Sequence, residues 1–311
     1  MLEARPRPGG PVLTVREAFT DGLYCDAGGF RFRDDHDLVI RYARLFNLPF
    51  DPFYPSEGDM VSYIGGSWKR RKRGERIDRT RFPRELTRLE QWIFAQERDT
   101  QMYKIRGGAD LLPRAFAVRL QERISYGTQV VRIEQDSQAV KVVFFQAGLP
   151  KSATADRLIC AIPFSVLRDL EIFPPFVPQK RSVITELTYA SASLVFLQVR
   201  NRFWVEQGLS GFTVTDNTGE IWNATFDRPG PRGILLSYTR GALARQICAM
   251  AEDERIRYTL EQLEQVYPGI RASFESGESL CWEQSEWARG AQSQTSEMRS
   301  EERRVGKECR L

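Results

Sequence analysis

Hydrophobic residues recur along the chain at two spacings, and the two spacings separate helical segments from strands. Spacing of three and four residues predicts helices over 36–47, 84–94, 109–124, 241–251 and 253–267. Alternation, or a short apolar run between turn residues, predicts strands over 59–66, 128–135, 139–146, 157–163, 193–200, 211–215, 220–226, 233–239 and 279–283. The order of these elements predicts a mixed α/β fold with a large mixed sheet in the second half.

One of these strands has no polar position at all between its ends. The segment RLICAIP at 157–163 is apolar from Leu158 until Pro163 stops it. Such an uninterrupted run is typical of a strand that is buried on both faces of a sheet.

Composition and charge exclude several classes of protein. The chain has 311 residues, of which 41% are hydrophobic and 28% charged, and its net charge is +4. The basic run KRRKRGER at 69–76 has no accompanying aromatic platform, so a solvated loop between a strand and a helix is favoured over a nucleic-acid site. No apolar run approaches the ~20 residues that a membrane span requires. We therefore expect neither a nucleic-acid nor a membrane partner.

Cysteine and histidine usage narrows the chemistry further. The five cysteines, at positions 25, 160, 248, 281 and 309, form no CxxC pair, which favours buried thiols in a reducing compartment over a disulfide framework. His36 is the single histidine. A histidine-based triad would depend on this one residue, and no zinc-ligand spacing is present, so we expect no metal.

The segment LEARPRPGG at 2–10 has the features of a nucleotide-binding turn. An acid at the end of a strand, here Glu3 followed by Ala4, accepts hydrogen bonds from the ribose hydroxyls of a dinucleotide. The pair Gly9 and Gly10 lets the backbone approach a pyrophosphate closely. On its own the pattern is common.

A second glycine pair follows in YCDAGGFRF, at 24–32. Gly28 and Gly29 form another turn of this kind, followed by Phe30 and Arg31. A guanidinium in this position can bind a carboxylate through two parallel hydrogen bonds. The alternative for Arg31 is an ordinary surface salt bridge.

Together these segments resemble the flavin-containing monoamine oxidase family, and within it the bacterial amine oxidases and the L-amino-acid oxidases. The resemblance continues, in order, through the following segments: IRGGADLLPRAFA (105–117), YGTQVVRIEQDSQAVKVVF (126–144), DRLICAIPFSVLRDLEIFPPFVPQK (156–180), NRFWVEQGLSGFTVTD (201–216), PRGILLSYTRG (231–241) and CWEQSEWARGA (281–291).

The resemblance implies FAD as cofactor and assigns roles to particular residues. Glu3 and Ala4, both glycine pairs, Phe30, Arg31 and the backbone at Val130 would lie along the cofactor. Arg31 would also bind the substrate carboxylate, and Trp222 would form an aromatic wall of the substrate pocket, with an ordinary core tryptophan as the equal alternative. The implied reaction oxidises a primary amine or L-amino acid to an imine, with O2 as electron acceptor and hydrogen peroxide as product. No catalytic side chain is assigned.

The chain also departs from the family pattern. A GxGxxG turn before LEAR is missing, Pro11 follows the first glycine pair, and Leu194 stands where many relatives carry a lysine. The region between 66 and 105 is shorter, and the segment that closes over the flavin is missing after about Ala291. The tail RSEERRVGKECR resembles a translated sequencing adapter, so we expect no fold or function from about Arg299. We accordingly expect this piece to bind FAD poorly and to be inactive.

These inferences predict an incomplete Rossmann-like FAD domain and a substrate domain built on a mixed sheet with flanking helices. The predicted divisions are 1–60 and 126–165 for the FAD domain, 61–125 for a shortened entrance region, 166–291 for the substrate domain and 292–311 for a disordered tail. We expect a cytoplasmic protein and leave a homodimer open. The alternatives are another flavin oxidoreductase of the same fold, such as a desaturase or protoporphyrinogen-type oxidase, or a non-catalytic interaction scaffold.

Overall fold

The computed structural model describes residues 1–72, residue 75 and residues 101–294. Its strands are β1 Thr14–Val15, β2 Cys25–Asp26, β3 Phe32–Arg33, β4 Phe50–Pro52, β5 Asp59–Ile64, β6 Ser67–Arg71, β7 Met102–Ile105, β8 Thr128–Gln135, β9 Val140–Gln146, β10 Leu149–Ala155, β11 Glu171–Phe173, β12 Thr188–Ala190, β13 Ala192–Val199, β14 Leu209–Thr215, β15 Gly219–Asn223, β16 Gly233–Arg240, β17 Phe274–Cys281 and β18 Gln292–Gln294. Its helices are α1 Asp37–Leu45, α2 Leu111–Leu120, α3 Phe164–Leu167, α4 Pro178–Glu186, α5 Phe203–Glu206, α6 Gly241–Cys248, α7 Glu252–Val266 and α8 Ile270–Ser273.

A large mixed sheet forms the centre of the second half, as predicted. Within the described residues it has seven strands in the order β17-β13-β16-β15-β14-β5-β6. Strands β14 and β5 run parallel, and the other neighbours are antiparallel. The mixed α/β class predicted from the sequence is confirmed.

Strand β13 shows why this sheet is buried on both sides. All eight of its residues are buried, and successive side chains alternate between the two faces. Leu194 and Phe196 join one apolar cluster, which also contains Trp222 and Trp282. Val195 and its neighbours on the other face pack against helix α7 and the residues after it. The first of these two faces carries the candidate site.

A smaller sheet carries the predicted hairpin. Strands β8 and β9 pair antiparallel, β10 extends them, and β11 adds a parallel edge next to β8. The first residues of the chain run alongside this sheet, since the Glu3 N–H donates to the Ser125 carbonyl at 2.9 Å. Strand β18 pairs with β12, so residues 292–294, which the domain prediction placed in the tail, are ordered.

The predicted strand over 157–163 is wrong. These residues adopt no regular structure, and Leu158 and Ile159 are 42% and 94% exposed. A strand needs partners for its backbone N–H and C=O groups, and no strand of the described residues pairs with this segment. The apolar composition alone could not supply that partner.

Two further expectations need correction. The basic run begins as an edge strand rather than a loop, because β6 pairs with β5, with Lys69 and Arg70 exposed. Cys248 and Cys281 form a disulfide, although the cysteine spacing favoured free thiols. Cys25 is a buried thiol, as expected, whereas Cys160 is exposed, contrary to that expectation. The predicted helix over 84–94 and Cys309 lie outside the described residues.

Among the helices of the described residues, none combines the length and the apolar composition that crossing a bilayer requires.

Candidate functional site

The two glycine turns singled out in the sequence lie against each other. Gly9 and Gly10 have φ values of +97° and +51°, which place them in the left-handed region where glycine is favoured. The Gly29 N–H donates to the Pro11 carbonyl at 3.2 Å. A Cβ at Gly28 would lie 1.6 Å from that same carbonyl oxygen, so only glycine permits this approach. The two turns therefore form one continuous backbone surface.

Glu3 lies at one end of this surface, next to the hairpin strand. The Thr128 N–H donates to the Glu3 carbonyl at 2.9 Å, and Val130 follows two residues later in β8. Ala4 comes directly after Glu3 and is half-buried. The fold thus places Glu3 and Ala4 beside the start of β8, the strand that contains Val130.

The groups around Glu3 suit the adenosine and pyrophosphate end of FAD. One carboxylate oxygen of Glu3, Oε1, accepts the backbone N–H of Arg5 at 2.8 Å, and the second oxygen is an acceptor of the kind that ribose hydroxyls need. Arg7 donates to the carbonyl of Gly10 at 2.8 Å, and burial lowers its pKa. A Cβ at Gly10 would meet no atom within 4 Å, so this side of the turn is open to a ligand. These residues fit the adenosine end of the cofactor.

Arg31 lies over three aromatic rings at the other end of the surface. Its guanidinium carbon is 5.1 Å from the ring centroid of Trp222, 5.4 Å from that of Phe53 and 5.7 Å from that of Phe30. One of its N–H groups also donates to the Tyr54 hydroxyl at 3.2 Å. The Arg31 side chain is 15% exposed, so the surface salt bridge considered as an alternative does not describe it.

Sequence reasoning missed the carboxylate that joins these residues. Glu220 lies two positions before Trp222 in β15 and accepts the Trp222 indole N–H at 2.9 Å. The same oxygen is 3.8 Å from Arg31, and Arg240 donates to the other oxygen. Residues two apart in a strand share a face, so the pattern Glu-x-Trp indicates that the two side chains lie together, but not that they are buried.

The three rings beneath Arg31 also form part of a cavity of about 450 Å³, measured with its open mouth. It is lined by Tyr24, Cys25, Asp26, Phe30, Phe53, Lys104, Ile105, Phe212, Trp222, Asn223, Ala224, Phe226 and Leu236. Ligand pockets are typically mainly apolar, with a few polar groups. An aromatic or aliphatic group fits this description better than a charged one.

Two charged groups, Lys104 and Asp26, line the cavity. Lys104 pairs with Asp227 at 2.9 Å, and its ammonium is 4.2 Å from the Phe226 ring centroid. Asp26 accepts the Thr14 hydroxyl at 2.5 Å and the Ala109 N–H at 2.9 Å. Burial raises the pKa of Asp26 to about 6. Nothing in the sequence pattern pointed to this carboxylate.

Leu194 and Trp282 complete the surroundings of the site. Leu194 is 1% exposed and lies opposite Tyr238 in the sheet, in the cluster that includes Trp222. The Trp282 indole donates to the Ala27 carbonyl at 2.8 Å, directly before the second glycine turn. The disulfide at the preceding residue, Cys281, anchors this tryptophan to helix α6.

Comparison of the sequence with known proteins identifies related enzymes. The profile of the family described as flavin containing amine oxidoreductase matches residues 1–93 and 81–306. YobN of Bacillus subtilis, named as an L-amino-acid oxidase, is 28% identical over 93% of this chain and 78% of its own length. An L-amino-acid oxidase of Bothrops pauloensis is 28% identical over 78% of this chain, which spans 63% of that protein.

Solved structures show the same fold. Cyclohexylamine oxidase from Brevibacterium oxydans is 18% identical, with a TM-score of 0.80 over 93% of this chain and 80% of that one. Wild-type putrescine oxidase bound to putrescine is also 18% identical, with a TM-score of 0.78 over 94% of this chain and 81% of that one. At this identity the likeness concerns the fold alone.

Proposed function

The chain belongs to the flavin-containing amine oxidoreductase family, and from this premise we propose that it serves the FAD-dependent oxidation of an L-amino acid. In this proposal, an amino acid with an apolar or aromatic side chain is oxidised at the carbon that bears the amine. The product is an imino acid, which water converts to a keto acid and ammonia. The two electrons reduce O2 to hydrogen peroxide.

The observation that carries this proposal is the position of Arg31. It follows the second glycine turn, and although Arg31 is not itself among the lining residues, its guanidinium lies over three rings that line the cavity. A substrate with a carboxylate next to an apolar side chain has the two groups that this arrangement can bind. A simple amine lacks the anion, so the arrangement favours an amino acid over an amine.

The cofactor and the side chains of the protein would have different roles in the reaction. FAD, when bound, would supply the two-electron acceptor between the amine carbon and O2. Glu3, the two glycine turns and Val130 would hold the cofactor. Arg31 would bind the substrate carboxylate in two parallel hydrogen bonds, while Trp222 packs against the side chain and excludes water from the reacting carbon. Orientation of this kind lowers the barrier without a strong general base.

The predicted domain division extends the proposal. Residues 1–60 and 126–165 would form the cofactor domain, and residues 166–291 the substrate domain, with 61–125 as the entrance region. Strand β5 begins at Asp59 and pairs with β14 of the large sheet. This pairing supports assigning the start of the entrance region, residues 61–64, to the substrate side.

A matched pair of substrates tests the proposal. Chain reconstituted with FAD is given L-phenylalanine or phenethylamine, which is the same molecule without the carboxylate, and peroxide release is measured. We expect kcat/KM to be at least about 100-fold higher for L-phenylalanine, since a charged hydrogen-bonded contact is worth about 3 kcal/mol. Equal rates for the two substrates would contradict the proposal, whereas no peroxide with either would agree with the expectation that this piece binds FAD poorly and is inactive.

Substitution of Arg31 is a second test of the proposed function. Arg31→Lys keeps the charge but loses the two-pronged geometry, and we expect it to raise the KM for L-phenylalanine about tenfold. Arg33→Lys is the matched control, because Arg33 pairs with Asp35 on the surface two residues away. The control variant should leave the KM unchanged.

A further inference from the structure

The buried carboxylate of Glu220 contacts both residues of the proposed substrate site. We propose that Glu220 is a positioning residue, which fixes the Trp222 indole and the Arg31 guanidinium against the substrate cavity. This inference rests on the proposed function, because it concerns the same cavity.

The geometry around Glu220 carries the inference. Its side chain is 2% exposed. Oε2 accepts the Trp222 indole N–H at 2.9 Å and lies 3.8 Å from an Arg31 nitrogen, while Oε1 accepts from Arg240. At such low exposure, water does not weaken these contacts as it would on the surface. The Trp222 indole N–H and the guanidinium groups of Arg31 and Arg240 therefore share the Glu220 carboxylate.

Glu220 acts through these neighbours rather than by contact with a ligand. Trp222 lines the cavity, whereas neither Glu220 nor Arg31 is among the lining residues, although Arg31 lies over three rings that are. An effect of Glu220 on substrate binding must therefore be transmitted by the side chains that it holds. That is what distinguishes a positioning residue from a binding one.

Trp222 needs such a contact to adopt one orientation. Its ring packs against the rings of Phe30, Phe53 and Tyr238, with centroid separations of 4.7, 5.1 and 5.2 Å. Ring contacts of this kind allow more than one rotation of an indole about its χ2 angle, whose energy profile is broad. The hydrogen bond from the indole N–H to Glu220 selects one of these rotations.

Only a carboxylate satisfies both donors at this position. Glutamate offers acceptors on two oxygens, one for Arg240 and one for Trp222. Glutamine offers one oxygen and one NH2 group, so either the guanidinium or the indole N–H would face another donor. Glu220→Gln should therefore release one of the two side chains although it has nearly the same volume.

A double-mutant cycle tests the inference through substrate binding. With FAD-loaded chain and L-phenylalanine, we expect Glu220→Gln to raise KM about tenfold while kcat changes less than about twofold. In a Trp222→Phe background, where no indole N–H needs an acceptor, the same substitution should raise KM only about threefold, through Arg31 alone. An equal factor in both backgrounds would overturn the role of the indole.

Indole fluorescence gives a readout that needs no oxidase activity. We expect Glu220→Gln to shift the tryptophan emission of the purified chain, and to cause no shift in the Trp222→Phe background. Glu134→Gln, which removes an arginine-paired strand carboxylate in β8, is the control and should cause no shift. A chain that shows the Glu220 shift but oxidises L-phenylalanine and phenethylamine equally would refute the proposed function and leave the positioning role intact.

A substitution at a buried carboxylate can prevent the chain from folding, and an unfolded variant does not test the positioning role of Glu220. Near-ultraviolet circular dichroism and urea unfolding check each variant first. If Glu220→Gln is unfolded, Glu220→Asp replaces it in both experiments, because it keeps two acceptor oxygens but withdraws them by one methylene. We then expect the same emission shift, again abolished by Trp222→Phe. A folded Glu220→Asp chain with unchanged emission would overturn the inference.

Discussion

The carboxyl group of Asp26, beside the cavity, gives a sharp test of the burial that the structure assigns to this region. The substitution Asp26→Asn replaces this carboxyl group with an amide that carries no charge at any pH. The amide oxygen of asparagine can still accept from the Thr14 hydroxyl and the Ala109 N–H, so the hydrogen bonds of the carboxylate are kept. What the substitution removes is the ability to ionise.

The sign follows from the direction of the pKa shift. Burial raises the pKa of Asp26 from 3.8 to about 6, because an ionised carboxylate loses hydration there. The folded state therefore holds the proton more tightly than the unfolded state. The stability that this proton contributes is fully present below pH 3.8 and is lost as the pH rises through about 6.

The magnitude is about 3 kcal/mol, since each pKa unit corresponds to 1.36 kcal/mol. Urea unfolding of wild type and Asp26→Asn is measured from about pH 3.5 to pH 7.5. The difference between the two unfolding free energies isolates Asp26 from other titrating groups. We expect wild type to lose about 3 kcal/mol relative to the variant over this range.

A second variant, Asp136→Asn, is a control for the direction in which the unfolding free energy changes with pH. Asp136 accepts the backbone N–H groups of Gln138 and Ala139 in an exposed turn, and these bonds lower its pKa. Wild type should therefore gain stability relative to Asp136→Asn as the pH rises, the opposite trend. Parallel curves for wild type and Asp26→Asn would refute the assignment of Asp26 to a buried, water-poor site.

Two further predictions concern the framework of the site. Gly28→Ala should destabilise the fold by about 3 kcal/mol in urea, because its Cβ would meet the Pro11 carbonyl. Gly22→Ala, where a Cβ meets nothing within 4 Å, should cost only about 1 kcal/mol, and equal losses would refute the close approach. Replacing Cys248 and Cys281 with serine should cost about 3.7 kcal/mol, from the 33-residue separation that the disulfide closes. An unchanged midpoint under reducing conditions would contradict the disulfide.

The central sheet could be predicted because local pattern and tertiary environment agree there. The strands near 193–200 and 233–239 have the length and apolar content of buried strands, and β13 and β16 occupy nearly the same residues. The run at 157–163 has the same composition, but a strand also needs a neighbour for its backbone, and composition does not reveal a neighbour. The same limit applies to Cys248 and Cys281, whose pairing depends on how α6 and β17 pack.

The candidate site was partly predictable for a related reason. Arg31, Trp222 and the glycine turns were named from motifs, and the fold brings them to one surface. Their functional roles remain predictions. Glu220 escaped notice because a charged residue in a strand is usually solvent-exposed, and its burial depends on Arg240 and Trp222 from the sheet around it. Such a cluster exists only once the strands are paired.

A crystal structure of the chain with benzoate, an aromatic carboxylate without an amine, tests the substrate site most directly. We expect the benzoate carboxylate to lie within hydrogen-bond distance of the Arg31 guanidinium and its ring to pack against Trp222. Benzoate bound elsewhere, with neither contact present, would contradict the assignment of this cavity to an amino-acid substrate.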